Sequence, residues 1–362
     1  MAMHLLPGVS AHTTRTDRLS MHWLEYGPDD GVPVVLVQGN LSTGRFYEHV
    51  MPQAPENLRL IAPDMRGFGR TDPLPVDATR GLRDWSDDIA SLLRALGITR
   101  PVHLVGWSSG GLAVSHYAME HAATAPVASL TYIDPVPPYG YGGVRRDGTP
   151  CAPDYAGSGA AGANPELVQR LRDRDRSADS PFSIRNVINA LYWRPQFRLP
   201  AEREDLLVDE VLLTVIGDGT YPGDAATSPN WPGIAPGTTG MLNALSPKYA
   251  NWSGIVDLDP KPPILWTHGS ADLIVADGAA LELGALGAAG VVPGWPGEEA
   301  YPPQPMVSQI RDVLGRYASA GGVVQTEMFQ GCGHGPLFDA EQRWCEITYG
   351  FITRAEERLT AR

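Results

Sequence analysis

The amino-acid sequence predicts an α/β fold in which a mostly parallel sheet is flanked by helices. Short runs of β-branched and apolar residues alternate with helical patterns over the first 134 residues, and this alternation returns after residue 262. Alternating strands and helices are typical of parallel βαβ units with right-handed crossovers. From residue 137 to residue 257 the alternation is lost, and several short helical patterns take its place. This stretch is predicted to be an inserted, mainly helical cap.

The individual strands are predicted from short apolar runs that end in turn residues. They are two strands within 12–27, then 33–37, 58–62, 102–105, 127–133, 263–266 and 323–329. The helices are predicted from apolar residues three or four positions apart. They are a short helix near 46–51, one through 85–96, and others over 112–123, 306–317 and 344–352. The α/β core is therefore expected to comprise 1–136 and 258–362, and the cap 137–257.

Composition and charge exclude several classes of protein. The chain has 362 residues, of which 43% are apolar, enough for a substantial core. Its formal charge of −13 argues against nucleic acid or an anionic membrane as a partner, because both require a basic face. No stretch approaches the roughly 20 apolar residues of a membrane span, and the first ten residues lack the pattern of a signal peptide. We therefore expect a soluble, cytoplasmic protein.

The cysteines argue against a metal site and against a disulfide framework. Cys151, Cys332 and Cys345 are an odd number of cysteines without Cys-x-x-Cys spacing. A reducing compartment fits this usage. We expect neither a metal nor an organic cofactor.

The pentapeptide at 106–110, Gly-Trp-Ser-Ser-Gly, stands between a predicted strand and a predicted helix. A strand, Gly-x-Ser-x-Gly and a helix in this order are typical of a nucleophile elbow. Such a tight turn strains the serine backbone and brings the residues two before and two after it close together. Gly106 and Gly110 carry no side chain at these positions. We therefore expect Ser108 to be a catalytic nucleophile.

Five motifs occur along the chain, each at the end of a predicted strand. They are Gln-Gly-Asn at 38–40, Asp-x-Arg-Gly-x-Gly-x-Thr at 64–71, Gly-x-Ser-x-Gly at 106–110, Gly-x-x-Asp at 269–272 and Gly-x-Gly-His at 331–334. With these motifs in this order, nearly all of the chain outside the cap closely resembles the α/β-hydrolase fold. The resemblance implies an eight-stranded type of sheet and a catalytic triad in the order Ser…Asp…His.

His334 is the candidate general base, because imidazole titrates near neutral pH and can activate a serine hydroxyl. The carboxylate that orients the imidazole has two candidates. Asp272 stands at the usual acid position of the family. Asp134 ends the strand after the nucleophile, where some members of the fold carry the acid. Asp272 is favoured, and Asp134 remains the alternative.

Stabilising the oxyanion requires two backbone N–H donors. Ser109 directly follows the nucleophile at a helix N-terminus, where the helix dipole helps. The second donor is expected from the loop after the third strand, where the family usually has His-Gly-x and this chain has Gln38-Gly39-Asn40. Aligning Gln38 with that histidine makes Asn40 the donor, with Leu41 as second choice.

The cap carries many aromatic side chains that could wall an apolar pocket. The candidate pocket residues are Leu41, Trp107, Tyr139, Tyr192, Trp193, Trp231 and Trp252. A proline-rich loop at 293–305 lies between the acid and the base, and we interpret it as either a second lid or an oligomer contact.

Together these features predict a serine hydrolase that cleaves an ester or lactone of a fairly large, apolar substrate through an acyl-enzyme. A macrolactone such as a zearalenone-type mycotoxin would suit a large aromatic cap. The alternatives are C–C bond hydrolysis or acyl transfer on the same triad, and a ligand receptor of the same fold without turnover. Epoxide and haloalkane chemistry are disfavoured, because those relatives carry aspartate where this chain has Ser108. The expected partner is a small molecule, and the oligomeric state stays open.

Overall fold

The computed structural model describes residues 3–361, and within them one eight-stranded sheet forms the centre of the molecule. The first six strands are β1 (Ser10–Arg15), β2 (Ser20–Tyr26), β3 (Val32–Val37), β4 (Leu58–Pro63), β5 (Val102–Trp107) and β6 (Val127–Ile133). Four short strands lie outside the central sheet and pair two by two: β7 (Ile216–Gly217), β8 (Tyr221–Pro222), β9 (Ala225–Thr227) and β10 (Ile234–Pro236). The central sheet is completed by β11 (Ile264–Gly269) and β12 (Val324–Phe329).

The strands of the central sheet follow the order β1-β2-β4-β3-β5-β6-β11-β12. Strand β2 is antiparallel to both of its neighbours, and the other neighbouring pairs run parallel. The predicted mostly parallel sheet is therefore confirmed. Strands β3 and β5 lie at its centre, and every residue of both is buried. Burial on both faces explains why these strands appear in the sequence as nearly continuous apolar runs, interrupted in β5 by the buried His103.

Helices cover the sheet, but they make up only a minority of the residues between β6 and β11, so the prediction that this insertion is mainly helical is wrong. Within residues 3–361 the α-helices are α1 (Arg83–Ala95), α2 (Ser109–Glu120), α3 (Pro165–Arg172), α4 (Ile184–Leu191), α5 (Ala201–Val211), α6 (Met241–Ala244), α7 (Leu283–Ala288), α8 (Met306–Ser319), α9 (Pro336–Asp339) and α10 (Glu341–Thr360). Helix α2 begins three residues before its predicted start, because the turn at Ser108 leads directly into the first helical turn. The helix-like segment predicted near 46–51 consists of two short 3₁₀-helices, Gly44–Tyr47 and Met51–Gln53, and not of one α-helix.

The segment between β6 and β11 leaves the central sheet where the sequence predicts an insertion. It contains α3 to α6, but it also contains β7 to β10, which were not predicted. These strands are only two or three residues long, too short to show an alternating pattern. The division into a core and a separate cap domain stays a prediction.

The motif residues lie at the carboxyl ends of the parallel strands. Asn40 follows β3, Ser108 follows β5, Asp134 follows β6, Asp272 follows β11 and His334 follows β12. The carboxyl ends of parallel strands meet at one edge of the sheet, which is where α/β proteins place their ligand sites. The fold therefore gathers the predicted site residues at one edge.

Two observations bear on the expected class of protein. Among residues 3–361, no helix combines the length and apolar character needed to cross a bilayer. The three cysteines are free thiols, and Cys332 and Cys345 are buried.

Candidate active site

Ser108 occupies a strained turn between β5 and α2. Its φ of 54° and ψ of −116° lie in a region that residues with a side chain rarely adopt. A Cβ on Gly106 would lie 2.5 Å from the carbonyl carbon of Gly110, and a Cβ on Gly110 would lie 2.3 Å from the carbonyl oxygen of Val37. Both positions therefore require glycine, as the spacing of the motif predicts. Ser108 remains 8% exposed at this edge of the sheet.

His334 and Asp272 lie within hydrogen-bond distance of each other. Nδ1 of His334 is 2.8 Å from Oδ2 of Asp272, and both side chains are almost fully buried. The other carboxylate oxygen of Asp272 accepts hydrogen bonds from the backbone N–H groups of Ile274 at 2.7 Å and Val275 at 3.1 Å. Burial alone would raise the pKa of Asp272, but His334 and the N–H of Ile274 bring it below its usual value. Asp272 is thus held as a carboxylate that orients the imidazole, with Nε2 as the ring nitrogen suited to act as a base.

Trp107 fastens the loop of His334 to the turn that carries Ser108. The indole N–H of Trp107 donates a hydrogen bond to the carbonyl oxygen of His334 at 2.7 Å, and the two ring centroids are 5.8 Å apart. The backbone N–H of Ser108 donates to the carbonyl oxygen of Ile133 at 2.9 Å, which ties the same turn to β6. The structure therefore brings His334 against the residue that precedes Ser108.

Asp134, the alternative acid, lies beside Asp272. A carboxylate oxygen of each and a ring nitrogen of His334 all lie within 4.8 Å of one another. These are also ligand types for a metal ion, but His334 and Asp272 are hydrogen-bonded to each other. Asp134 accepts a hydrogen bond from the backbone N–H of Gly269 at 2.8 Å instead. His334 is therefore paired with Asp272, and Asp134 is a second buried carboxyl group beside that pair. The role of Asp272 as the triad acid stays a prediction.

The loop after β3 approaches Ser108 closely because residue 39 is glycine. A Cβ on Gly39 would lie 3.2 Å from the Cβ of Ser108. The carbonyl oxygen of Gly39 accepts a hydrogen bond from the hydroxyl of Ser42 at 2.8 Å. The N–H of the same trans peptide unit, which belongs to Asn40, therefore points the opposite way. Within residues 3–361, neither this N–H nor that of Ser109 donates a hydrogen bond. Both predicted oxyanion donors remain available, and their role stays a proposal.

Gln38 supports this loop in place of the histidine that the family usually has. Its side-chain oxygen accepts a hydrogen bond from the backbone N–H of Met65 at 3.1 Å, and its side-chain nitrogen donates to the carbonyl oxygen of Ser42. The Gln38 side chain is fully buried. Although Gln38 departs from the family pattern, its side-chain hydrogen bonds therefore stabilise the loop after β3.

Tyr192, predicted only as a pocket wall, also makes a polar contact with this loop. Its hydroxyl donates to the carbonyl oxygens of Asn40 at 2.9 Å and Leu41 at 3.1 Å. Leu41 has a positive φ of 50°, an unfavourable conformation for a residue with a side chain, and the hydrogen bonds help to hold it there. Tyr192 follows α4, so the inserted segment contacts the candidate oxyanion loop directly. No sequence signal predicts this contact, because the partner of a hydroxyl depends on tertiary packing.

Three predicted pocket aromatics form a cluster beside Ser108. The ring of Trp107 lies 5.3 Å from that of Tyr192 and 5.6 Å from that of Phe338, and the ring of Trp193 also lies 5.6 Å from Phe338. Phe46, which was not predicted, packs 5.7 Å from Trp107. Together with the buried Leu41, these side chains give the surroundings of the site an apolar and aromatic character.

The other predicted pocket residues have their contacts elsewhere. Trp231 packs 4.7 Å from Tyr301, so the 293–305 loop rests on the inserted segment. Trp252 stacks on Tyr132 of β6 at 5.3 Å. The hydroxyl of Tyr139 accepts a hydrogen bond from an arginine of α8. A place in the pocket stays a prediction for these three residues.

Known proteins resemble this chain in sequence over part of its length. Residues 32–294 match the family described as the alpha/beta hydrolase fold. A cis-3-alkyl-4-alkyloxetan-2-one decarboxylase from Xanthomonas campestris pv. campestris is 34% identical over 144 residues, which cover 36% of this chain and 48% of that protein. The matched stretch thus spans about half the length of this relative.

Solved structures resemble the chain over nearly its whole length. An esterase from Rhodococcus sp. ECU1013 has a TM-score of 0.55 and 21% identity, covering 96% of this chain and 98% of its own. An esterase from Exiguobacterium antarcticum has a TM-score of 0.59 and 15% identity, covering 95% of this chain and 100% of its own. At such identities the likeness shows the fold alone. Because the family match covers more than half of the chain, we conclude that the protein belongs to the α/β-hydrolase fold family.

Proposed function

We propose that the protein is a serine hydrolase that cleaves a carboxylic ester or lactone of a fairly large, apolar substrate. The observation that carries the proposal is the strained turn of Ser108, fastened through Trp107 to the buried His334–Asp272 pair. A serine hydroxyl is a weak nucleophile at neutral pH, and an oriented imidazole is the base that activates it.

In the proposed reaction, Oγ of Ser108 attacks the substrate carbonyl carbon while Nε2 of His334 takes the hydroxyl proton. The N–H groups of Asn40 and Ser109 stabilise the tetrahedral oxyanion. His334 then gives its proton to the leaving alkoxide, and the C–O bond breaks to leave an acyl-enzyme. A water molecule, deprotonated by His334, hydrolyses the acyl-enzyme and restores Ser108. Asp272 keeps its charge throughout and stabilises the imidazolium. These steps require no metal and no organic cofactor.

The surroundings of the site support an apolar substrate. Trp107, Tyr192 and Leu41 are buried next to the elbow, and apolar surroundings of this kind are typical of sites that take apolar ligands. A lactone would yield a single ring-opened product. A relative named for an alkyl-substituted oxetan-2-one, itself a cyclic ester, supports this class. Within it, we propose macrolactones of the zearalenone type for the first trials.

The proposal is tested by product mass after incubation with aryl esters, macrolactones and diketones. We expect the wild-type protein to add one water to an ester or lactone, and Ser108→Ala to lower kcat/KM by about 10⁴-fold or more. Ser319→Ala, at an exposed position of α8, is the matched control and should retain the wild-type rate.

Other outcomes separate the alternatives. Equal turnover by wild type and Ser108→Ala would remove Ser108 as the nucleophile. Faster cleavage of diketones than of aryl esters would indicate C–C bond hydrolysis, and a product carrying an added alcohol would indicate acyl transfer. Thermal stabilisation by a ligand without any turnover would favour a receptor.

A further inference from the structure

A second buried carboxyl group stands directly behind the proposed triad acid. Asp134 follows β6, and Asp272 lies in the loop after β11. The side chain of Asp134 is completely buried and that of Asp272 is 1% exposed. Their carboxyl oxygens are within 4.8 Å of each other. Two carboxylates so close in a site without solvent cannot both be ionised without a large electrostatic cost.

Only one of the two carboxyl oxygens of Asp134 has a hydrogen-bond partner. Oδ1 accepts a hydrogen bond from the backbone N–H of Gly269 at 2.8 Å. Oδ2 is buried and accepts no hydrogen bond from any residue within 3–361. An ionised carboxylate would leave this oxygen charged and unsolvated, which is very unfavourable. A proton on Oδ2 removes that charge and creates a donor.

Among residues 3–361, the ring of His268 is the only basic group within ion-pair distance of Asp134. Nε2 of His268 lies 3.0 Å from the carbonyl oxygen of Val275, which can only accept, so this nitrogen carries the ring proton. Burial lowers the pKa of His268, so its ring stays neutral and turns the lone pair of Nδ1 towards Oδ1 of Asp134, 3.4 Å away. Burial raises the pKa of the nearby Cys332 to about 11, which keeps it a thiol. Asp339 is a further acidic neighbour and would repel the charge.

We propose that Asp134 is a neutral carboxylic acid that donates its Oδ2 proton to the Asp272 carboxylate and thereby positions and tunes the triad acid. The inference rests on the proposed function for the part played by Asp272. Burial, followed by the charge of Asp272, raises the pKa of Asp134 well above its usual value, in agreement with a neutral side chain. The donated hydrogen bond draws charge away from the carboxylate oxygens of Asp272, of which Oδ2 faces His334. It weakens their stabilisation of the imidazolium and so keeps His334 unprotonated to lower pH. Asp134 is therefore a positioning residue and not a second triad acid.

The test compares the pH dependence of Ser108 labelling by a fluorophosphonate in wild type, Asp134→Asn and Asp134→Ala. Labelling needs the serine and its base but no natural substrate. Asp134→Ala removes the donor, and we expect the acidic limb of the profile to move up by about half a pH unit to one unit. Asp134→Asn keeps an N–H donor at the same place and should restore the wild-type limb.

Two labelling outcomes would overturn the proposal. If both variants move the acidic limb to lower pH, Asp134 is ionised in the wild type, because a negative charge beside the imidazolium has been lost. If neither variant moves it, Asp134 is not coupled to His334. Each profile is normalised to its own plateau, so a smaller folded fraction does not alter the position of the limb.

Infrared spectroscopy provides a readout that does not depend on catalysis. At neutral pH the wild type should show the C=O stretching band of a protonated carboxyl group, and this band should be absent from Asp134→Asn. If the wild type lacks this band, the proposal is wrong, and this result holds even if Asp134→Ala fails to fold. If the wild-type serine is not labelled at all, the proposed function fails, while the infrared band still decides the protonation of Asp134.

Discussion

At the scale of a single residue, the hydroxyl of Tyr192 connects the inserted segment to the loop that bears a proposed oxyanion donor. It donates to two successive carbonyl oxygens, those of Asn40 and Leu41. The orientation of a carbonyl sets that of the N–H in the same peptide unit. The two carbonyl oxygens belong to the peptide units that carry the N–H groups of Leu41, the second-choice donor, and Ser42, directly after the unit that carries the N–H of Asn40. Loss of the hydroxyl therefore loosens the loop that must present a donor to the oxyanion, although Tyr192 itself need not touch the substrate.

We predict that Tyr192→Phe lowers kcat by about 10-fold and changes KM little, because the oxyanion exists only in the transition state. Steady-state kinetics measures kcat and KM separately, with an aryl ester or lactone that the product assay has identified as a substrate. Tyr301→Phe is the matched control, since Tyr301 is also buried and its hydroxyl donates to the carbonyl oxygen of Ala156 at 2.9 Å, in another part of the structure. Equal losses of kcat in the two variants would show that Tyr192 acts only through general stability.

At the scale of an element, α2 carries both the candidate oxyanion donor and a buried histidine. Ser109 is its first residue, and His116 lies two turns further along the helix, fully buried. Burial, followed by the charge of Arg83, lowers the pKa of His116 to about 3. In the unfolded chain a histidine takes up a proton near pH 6.5. The contribution of His116 to stability is therefore fully present above about pH 6.5 and is lost as the pH falls towards 3.

We predict that His116→Leu becomes progressively more stable than the wild type as the pH is lowered from about 6.5 to 5. The difference in the free energy of unfolding should grow by about 1.4 kcal/mol per pH unit in this range. Urea unfolding at pH 8, 6 and 5 measures it, and the value at pH 8 is the internal reference, because the histidine is then neutral in both states. A difference that does not change with pH would contradict the assignment of a neutral His116.

At the scale of the whole molecule, the inserted segment and the α/β core share one apolar interior. Ile188 and Trp193 of the segment belong to the same contiguous cluster of buried side chains as Trp107 and Phe338. Elements that share a core usually unfold together in chains that behave as two-state systems. We therefore expect the segment at 137–257 to unfold with the core, even though it leaves the sheet as a topological insertion.

The hydrogen bond and ion pair that Glu210 forms with the α/β core give a way to test whether the segment and the core unfold together. Glu210, on α5, accepts a hydrogen bond from the hydroxyl of Thr43 at 2.8 Å and pairs with Arg70 at 2.8 Å. We predict that Glu210→Gln lowers the free energy of unfolding by about 1–3 kcal/mol and that the variant still unfolds in a single transition. Tryptophan fluorescence and far-UV circular dichroism, recorded on the same samples, measure this. Asp312→Asn is the control, because the Arg146–Asp312 pair is exposed and should contribute less than about 1 kcal/mol. Two separate transitions in the wild type would make 137–257 an independently unfolding domain.

Local patterns in the sequence were sufficient to predict the mostly parallel α/β class and the shape of the nucleophile turn, and the resemblance to a known family implied the eight-stranded sheet. Apolar runs gave the positions of the central strands to within a few residues, because strand and helix periodicities are properties of the backbone. The glycines of the 106–110 motif predicted the close approach that the structure contains, since no other residue fits there. The short strands β7 to β10 and the 3₁₀-helices after β3 escaped prediction, because elements of two to four residues are too short to display a period.

The sequence by itself determined which residue types stand at the strand ends, and with them the candidates Ser108, His334, Asp272 and Asp134. Tertiary structure decided how these groups meet. It paired His334 with Asp272, buried Asp134 behind that pair, and turned Tyr192 towards the loop after β3. The physical reason is that a contact between residues far apart in the chain depends on strand order, register and side-chain packing, which no local pattern contains.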